Sequence, residues 1–153
     1  MATEIERKFL LRDSGFLNGL QGERLAQGYL SHATDATVRV RIAGERAMLT
    51  IKGRNSGISR SEFEYPIPLA DAEALLALCS GGRIDKLRYR VPVGVHVWEV
   101  DVFAGANEGL MIAEIELASE QEDFVRPDWL GDEVSSDPRY FNSQLSLKPF
   151  STW

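Results

Sequence analysis

A single cysteine, Cys79, leaves the chain no internal disulfide, which fits a reducing compartment. It lies in the apolar run ALLALCS, where a thiol serves as a small buried hydrophobe rather than a nucleophile. No apolar stretch approaches the ~20 residues that span a bilayer. The N-terminus carries charges from residue 4 and lacks a signal-peptide core, so a cytoplasmic location is expected. Positive charge is also short. A formal net charge of −6 argues against a general nucleic-acid or membrane-surface binder, although it leaves room for a locally basic pocket. What remains is an ordinary soluble composition, 44% hydrophobic and 26% charged over 153 residues. That is enough for one domain, 1–153, with a sizeable core.

Strands dominate the reading. Residues 2–12 form the first, a short helix from Ser14 to Leu20 ends at Gly22, and Glu23 to His32 forms the second. After a turn at Asp35, strands from Thr37 to Ala43 and from Arg46 to Lys52 make a hairpin about Gly44-Glu45. The loop Gly53 to Gly57 leads into a fifth strand, Ser59 to Ile67, stopped by Pro66 and Pro68. Ala70 to Cys79 is the clearest helix, with Asp71 as candidate cap and Gly81-Gly82 as stop. Strands follow at Arg83 to Val91, His96 to Phe103 and Leu110 to Leu117. Short helical turns are expected at Glu120 to Phe124 and from Pro127 to Leu130. A last helix, opened by Asp137 and Pro138, should run through Leu147. The fold class is α+β, dominated by antiparallel sheet.

Within the strands, charge alternates with apolar groups. Glu4, Glu6 and Lys8 share one face of the first strand, opposite Ile5, Arg7 and Phe9. Arg39 and Arg41 share a face of the third, and Thr50 and Lys52 a face of the fourth. The fifth carries Arg60, Glu62 and Glu64, and the sixth Lys86, Arg88 and Arg90. Glu99 with Asp101, and Glu114 with Glu116, complete the pattern. Any one of these strands is a normal half-wet strand of an antiparallel sheet. As a set they differ from a solvated face. Surface strands mix Lys, Thr, Ser and Gln freely, whereas these polar positions are carboxylates, Arg and Lys, with acids grouped in the first and last strands and bases in the third and sixth.

Closing the sheet into an eight-stranded barrel turns those faces inward, around a space for side chains or one small ligand. Strands one and eight then meet, and Glu4, Glu6, Glu114 and Glu116 crowd together. Buried carboxylates this close repel and take up protons unless a cation neutralises them. A hard, oxygen-preferring Mg²⁺ or Mn²⁺ suits them. Arginine and lysine opposite such an ion is an arrangement that binds polyanionic phosphate.

The ExExK pattern of Glu4, Glu6 and Lys8 resembles the signature of the CYTH superfamily, the triphosphate tunnel metalloenzymes. Further pieces match in order: RVR at 39–41, LTIK at 49–52, EFE at 62–64, DKLRY at 85–89, EVDVF at 99–103, EIE at 114–116 and RYFN at 139–142. The resemblance implies a closed eight-stranded antiparallel β-barrel with a few covering helices, hydrolysing or cyclising triphosphates with Mg²⁺ or Mn²⁺. It implies metal binding by Glu4, Glu6, Glu114 and Glu116, with Asp101 a fifth member. Phosphate contacts fall to Lys8, Arg39, Arg41, Lys52, Lys86 and Arg88. Glu62 and Glu64 line the substrate site and hold these bases, with orientation of water or of a second metal as alternatives. Glu4, Glu6, Lys8, Lys52 and Lys86 are the expected catalytic group. No histidine or cysteine is required, and His32 and His96 are read as surface or packing residues.

Among activities of the resembled family, a short chain with nothing beyond the tunnel is most similar to the inorganic tripolyphosphatases, which release a terminal phosphate. Thiamine triphosphatase, nucleoside triphosphatase and class IV adenylate cyclase are the alternatives, and a non-catalytic polyphosphate- or nucleotide-binding module is a further one. No aromatic pair is placed to sandwich a thiazolium or adenine, and Tyr29 and Tyr89 are read as packing residues. The expected partner is a small-molecule triphosphate, with no nucleic acid and no membrane. The helices at 70–79 and 138–147 should cover part of an apolar outer face, and a homodimer contact the rest.

Overall fold

A computed structural model of the chain describes residues 2–153. Nine strands make one antiparallel sheet: β1 (Thr3–Leu11), β2 (Glu23–Ala33), β3 (Ala36–Ala43), β4 (Arg46–Gly53), β5 (Ser59–Pro66), β6 (Ser80–Val93), β7 (His96–Phe103), β8 (Met111–Glu116) and β9 (Leu130–Glu133). Their order is β5-β4-β3-β2-β6-β7-β8-β1, and β5 pairs back onto β1, which closes eight strands into a barrel. β1 is the clasp. Its residues Thr3 to Ile5 pair with β5, Glu6 to Leu10 pair with β8, and its far end pairs with β9 on the outside.

Closure needs alternation, and alternation sorts the side chains. On the outer face, Phe9, Trp98, Val100, Ala113 and Ile115 form a buried cluster with Leu17, Leu117 and Leu130. Phe9 and Trp98 meet edge to face at 5.6 Å, a favoured aromatic geometry. A second outer cluster, Val40, Ala47 and Ile42, lies under the helix α1 (Leu69–Leu78) and its Ala72. The third cluster is inside the barrel. Tyr29, Ile84, Phe103, Leu110, Ile112 and Leu145 fill one end with apolar side chains. The other end carries the charged residues.

Several elements differ from expectation. Leu130, expected in a short helix begun at Pro127, belongs to β9, which adds to the free outer edge of β1; Gly131 fits there because an added Cβ would sit 2.8 Å from the Leu10 carbonyl oxygen. Glu120 to Phe124 makes only a turn at its start. The helix expected from Ser14 to Leu20 is a three-residue 3₁₀ turn, Gly15–Leu17. The final helix breaks into a 3₁₀ turn, Pro138–Tyr140, and the four-residue α2 (Asn142–Leu145), since Phe141 between them is extended. Asp137 caps that 3₁₀ turn, accepting from the Arg139 amide. α2 is not an outer cover: Leu145 joins the apolar plug inside the barrel. Pro68, not Asp71, occupies the N-cap of α1, and Gly81 and Gly82 lie within β6, which starts at Ser80 rather than Arg83. A helical residue before Pro68 is disfavoured, and Asp71 falls in the first turn, where its charge still suits the helix dipole.

Candidate functional site

The charged half of the barrel encloses a cavity of about 370 Å³, lined by nine basic and eight acidic side chains among the described residues. Counting the buried Asp101 behind Lys86 and Arg88, an acidic chain thus holds an interior with acids and bases in balance. Every residue expected in the site lines this cavity except Asp101.

β1 supplies the acidic wall because its period of two points Glu4, Glu6 and Lys8 inward together. The Lys52 ammonium sits 3.2 Å from both Glu4 oxygens and 3.3 Å from Glu62, and Arg60 Nε donates to Glu4 at 3.3 Å. Burial opposes ionisation of Glu4, but the charge of Lys52, with help from Glu62 and Arg60, brings it down to about 2. Lys8 lies opposite Glu114 in the β1–β8 ladder and donates to it at 3.0 Å and to Glu6 at 3.1 Å. Burial would lower Lys8, yet Glu114 and Glu6 outweigh it and hold the ammonium above its usual range. Glu114 is held well below the carboxylate range: burial works against this, and Lys8, Arg88 and Lys86 overcome it. Glu6 is the loser. Burial, then the charge of Glu114, pushes it up to about 7. Burial also pushes Glu62 up to about 7, with its hydrogen bond to Glu4 adding to the effect.

The basic wall stands on Asp101, which is fully buried. One oxygen accepts from Lys86 at 2.7 Å, and Arg88 grips both oxygens, at 2.8 and 2.9 Å. Both pairs span the β6–β7 ladder, where Arg88 and Asp101 are register partners. Burial brings Lys86 down to about 7; Asp101 resists this, and Arg88 and Arg41 reinforce it.

β3 supplies the cations with the fewest acidic partners. Arg39 donates to Thr50 Oγ1 at 3.1 Å and lies 3.5 Å from Glu64. Its Nε is buried without a hydrogen-bond partner. Arg41 donates from Nε to Gln27 at 2.8 Å. Burial, then the charges of Arg39 and Arg88, brings it down to about 9. Arg41, depressed in part by the neighbouring Arg39, and Arg39 with its orphaned donor form a pair suited to an anion, since an orphaned buried donor is costly until filled.

Residues beyond the expected set complete the enclosure. Arg60 pairs with Glu4, and its place on the inner face of β5 beside Glu62 was its only sequence signal. Glu23 bridges the exposed Arg46 and Arg90 at the polar end. Phe141, Asn142 and Ser143 enter the lining from the C-terminal segment, and Asn142 Oδ1 accepts from Lys86 at 2.9 Å. Phe141 and Asn142 belong to the RYFN stretch at 139–142, but nothing in its spacing assigns them to the lining, because only tertiary packing brings that segment into the barrel. Tyr29 lines the cavity as part of the apolar plug, whereas Tyr89 packs on the outer cluster. His96 lies outside the site, clipped to Glu122, and His32 bonds Ser146.

The donor chemistry suits a hard divalent cation, as Glu4, Glu6, Glu114 and Glu116 offer oxygen only. Glu6 raised to about 7 marks a place short of positive charge. Among the described residues no three acidic, histidine or cysteine side chains converge closely enough to hold a metal. The reason lies in the ion pairs: Lys52 and Arg60 occupy Glu4, and Lys8 occupies Glu6 and Glu114.

The CYTH domain model matches residues 2–145 of the chain. The chain belongs to the CYTH family. An inorganic triphosphatase of Acetivibrio thermocellus is 45% identical over 154 residues, covering all of this chain and 99% of the relative. One from Nitrosomonas europaea is 41% identical over 151 residues, covering 95% and 97%. A solved inorganic triphosphatase superposes with a TM-score of 0.67 at 35% identity, covering 94% and 97% of the two chains. A Pyrococcus furiosus protein, TM-score 0.57 at 19% identity over 77% and 80%, shares the CYTH barrel alone.

Proposed function

We propose that this CYTH protein is an inorganic triphosphatase that hydrolyses tripolyphosphate to pyrophosphate and phosphate, with Mg²⁺ or Mn²⁺. The observation that carries the reading is the anion site of Arg39 and Arg41 facing the carboxylates of β1 and β8 across one enclosed cavity. Arg39, Arg41, Lys52, Lys86 and Arg88 bind the phosphate oxygens, in positions that Glu62, Glu64 and Asp101 support. Asp101 positions Lys86 and Arg88 rather than joining the metal ligands as the resemblance implies, since both of its oxygens are already engaged by them. Glu4, Glu6, Glu114 and Glu116 would hold the divalent cation, and Lys8 keeps their negative charge in check until it arrives. Such a cation, when bound, neutralises phosphate charge and activates water. The rest of the catalytic effect is positioning and electrostatic stabilisation by fixed charges, which phosphoryl transfer requires.

The high identity to two proteins named inorganic triphosphatase supports this choice over thiamine triphosphatase, nucleoside triphosphatase or cyclase. So does the near absence of aromatic lining on the charged half. Phosphate release from tripolyphosphate, ATP and thiamine triphosphate tests it, alongside a cyclic AMP assay. Tripolyphosphate should lead by at least about tenfold in kcat/KM, roughly 1.4 kcal/mol of transition-state binding. Equal rates, or cyclic AMP as product, would overturn the choice of substrate. Binding without turnover of any of the three would make the protein a binding module.

A further inference from the structure

We propose that Gln27 is a positioning residue for tripolyphosphate: a neutral amide that fixes the Arg41 guanidinium by its inner nitrogen while leaving the charge and the outer nitrogens to the phosphate chain. The inference rests on the triphosphatase reading and adds to it a residue that no sequence motif marks.

Gln27 is fully buried at the centre of β2, where Arg41 of β3 is its register partner on one side and Ile84 of β6 on the other. Its carbonyl oxygen accepts from Arg41 Nε at 2.8 Å. Its amide nitrogen donates to Asn142 Oδ1 at 3.2 Å and lies 3.4 Å from the Tyr29 hydroxyl. Asn142 Oδ1 also accepts from Lys86. The amide therefore links Arg41 to Lys86 through Asn142 without adding a charge between them.

The neutrality matters because the buried cations of the cavity are held by acids: Lys8 by Glu6 and Glu114, Lys52 by Glu4 and Glu62, Lys86 and Arg88 by Asp101, and Arg39 by Glu64. Arg41 is held by Gln27 and by no carboxylate among the described residues. A carboxylate at position 27 would satisfy the same Nε with a stronger, charge-assisted bond and neutralise the guanidinium. Its planar fork would then have less attraction left for a phosphate. An apolar residue there would leave Nε without an acceptor and the fork free to turn. Glutamine alone provides a fixed direction and an unspent charge.

Three variants, Q27M, Q27E and R41A, and the double variant Q27M/R41A test this by steady-state kinetics and by calorimetric binding of tripolyphosphate without added metal. Q27M should raise both KM and the metal-free Kd for tripolyphosphate about tenfold, with kcat changed much less. Q27E keeps the volume and the acceptor. It should weaken binding at least as much, and it supplies the comparison if Q27M does not fold. The double variant should bind no worse than R41A within about twofold, as expected when both act through one group. Wild-type-like binding in Q27E, or losses in Q27M and R41A that multiply in the double variant, would overturn the proposal. Wild-type protein that binds tripolyphosphate but does not hydrolyse it would instead refute the triphosphatase reading, and the binding series would still decide the role of Gln27.

Discussion

Lys8 and Glu114 face each other as register partners across the seam between β1 and β8, with the ammonium 3.0 Å from the carboxylate. The same ammonium reaches Glu6, so one cation serves two acids and leaves the cluster short of positive charge. That shortage is what a bound divalent cation would relieve.

Chelation is the first consequence. Activity should disappear in excess EDTA and return with Mg²⁺ or Mn²⁺, read as phosphate release. E4Q and E116Q should each cost about two orders of magnitude or more in rate, by analogy with loss of a principal electrostatic stabiliser. Full turnover in EDTA would remove the metal from the reaction.

Metal-free stability should depend on pH with a definite sign. Glu6 and Glu62 are each raised to about 7 in the fold. Between their unfolded values near pH 4.5 and that point, the native state binds more protons than the unfolded chain, so stability falls as pH rises. Thermal melts in EDTA should give a lower Tm at pH 6.5 than at pH 5, and E6Q should flatten the slope. Glu4, lowered to about 2, acts oppositely, and its contribution is lost only below about pH 4.5. A Tm that climbs between pH 5 and 6.5 would contradict the assignment.

Removing Asp101 should be the most damaging single change at the site. D101N leaves Lys86 and Arg88 buried beside each other without their shared acid, a loss of about 3–5 kcal/mol for a broken buried pair. Denaturant titration measures it. The double variant D101N/K86M should recover part of the loss, because one of the stranded charges is gone; equal stability of the two would argue that the pair is not the cause.

Ligand linkage separates Arg39 from the scaffold. Tripolyphosphate with Mg²⁺ should raise the Tm of the wild type. R39M should show a smaller shift while its ligand-free Tm is little reduced, since the change removes an unpartnered buried Nε and relieves repulsion with Arg41. A full ligand shift in R39M would place the phosphate elsewhere.

Alternation carried most of the site. The inward faces of β1, β3, β4, β5, β6 and β8 were legible because a strand cannot place Glu4 inward without Glu6 and Lys8 following it. Strand pairing was legible where a short turn forced it, as at Gly44-Glu45, and where barrel closure brought the first and eighth strands together. The last thirty residues were read poorly. β9 is four residues long and exists because β1 has a free outer edge, a fact of topology rather than propensity.

The amino-acid sequence by itself therefore determined which side chains share a face, the closed-barrel class and the family, since period-two patterning and ordered charged motifs are local properties of the chain. Tertiary structure alone decided which charges meet. It gave Asp101 to Lys86 and Arg88 rather than to the carboxylate cluster, set Arg60 on Glu4, and brought Asn142 from the C-terminal segment to Lys86 and Gln27. Those partnerships depend on strand register and on how the chain end packs into the barrel, and both follow from contacts between residues far apart in sequence.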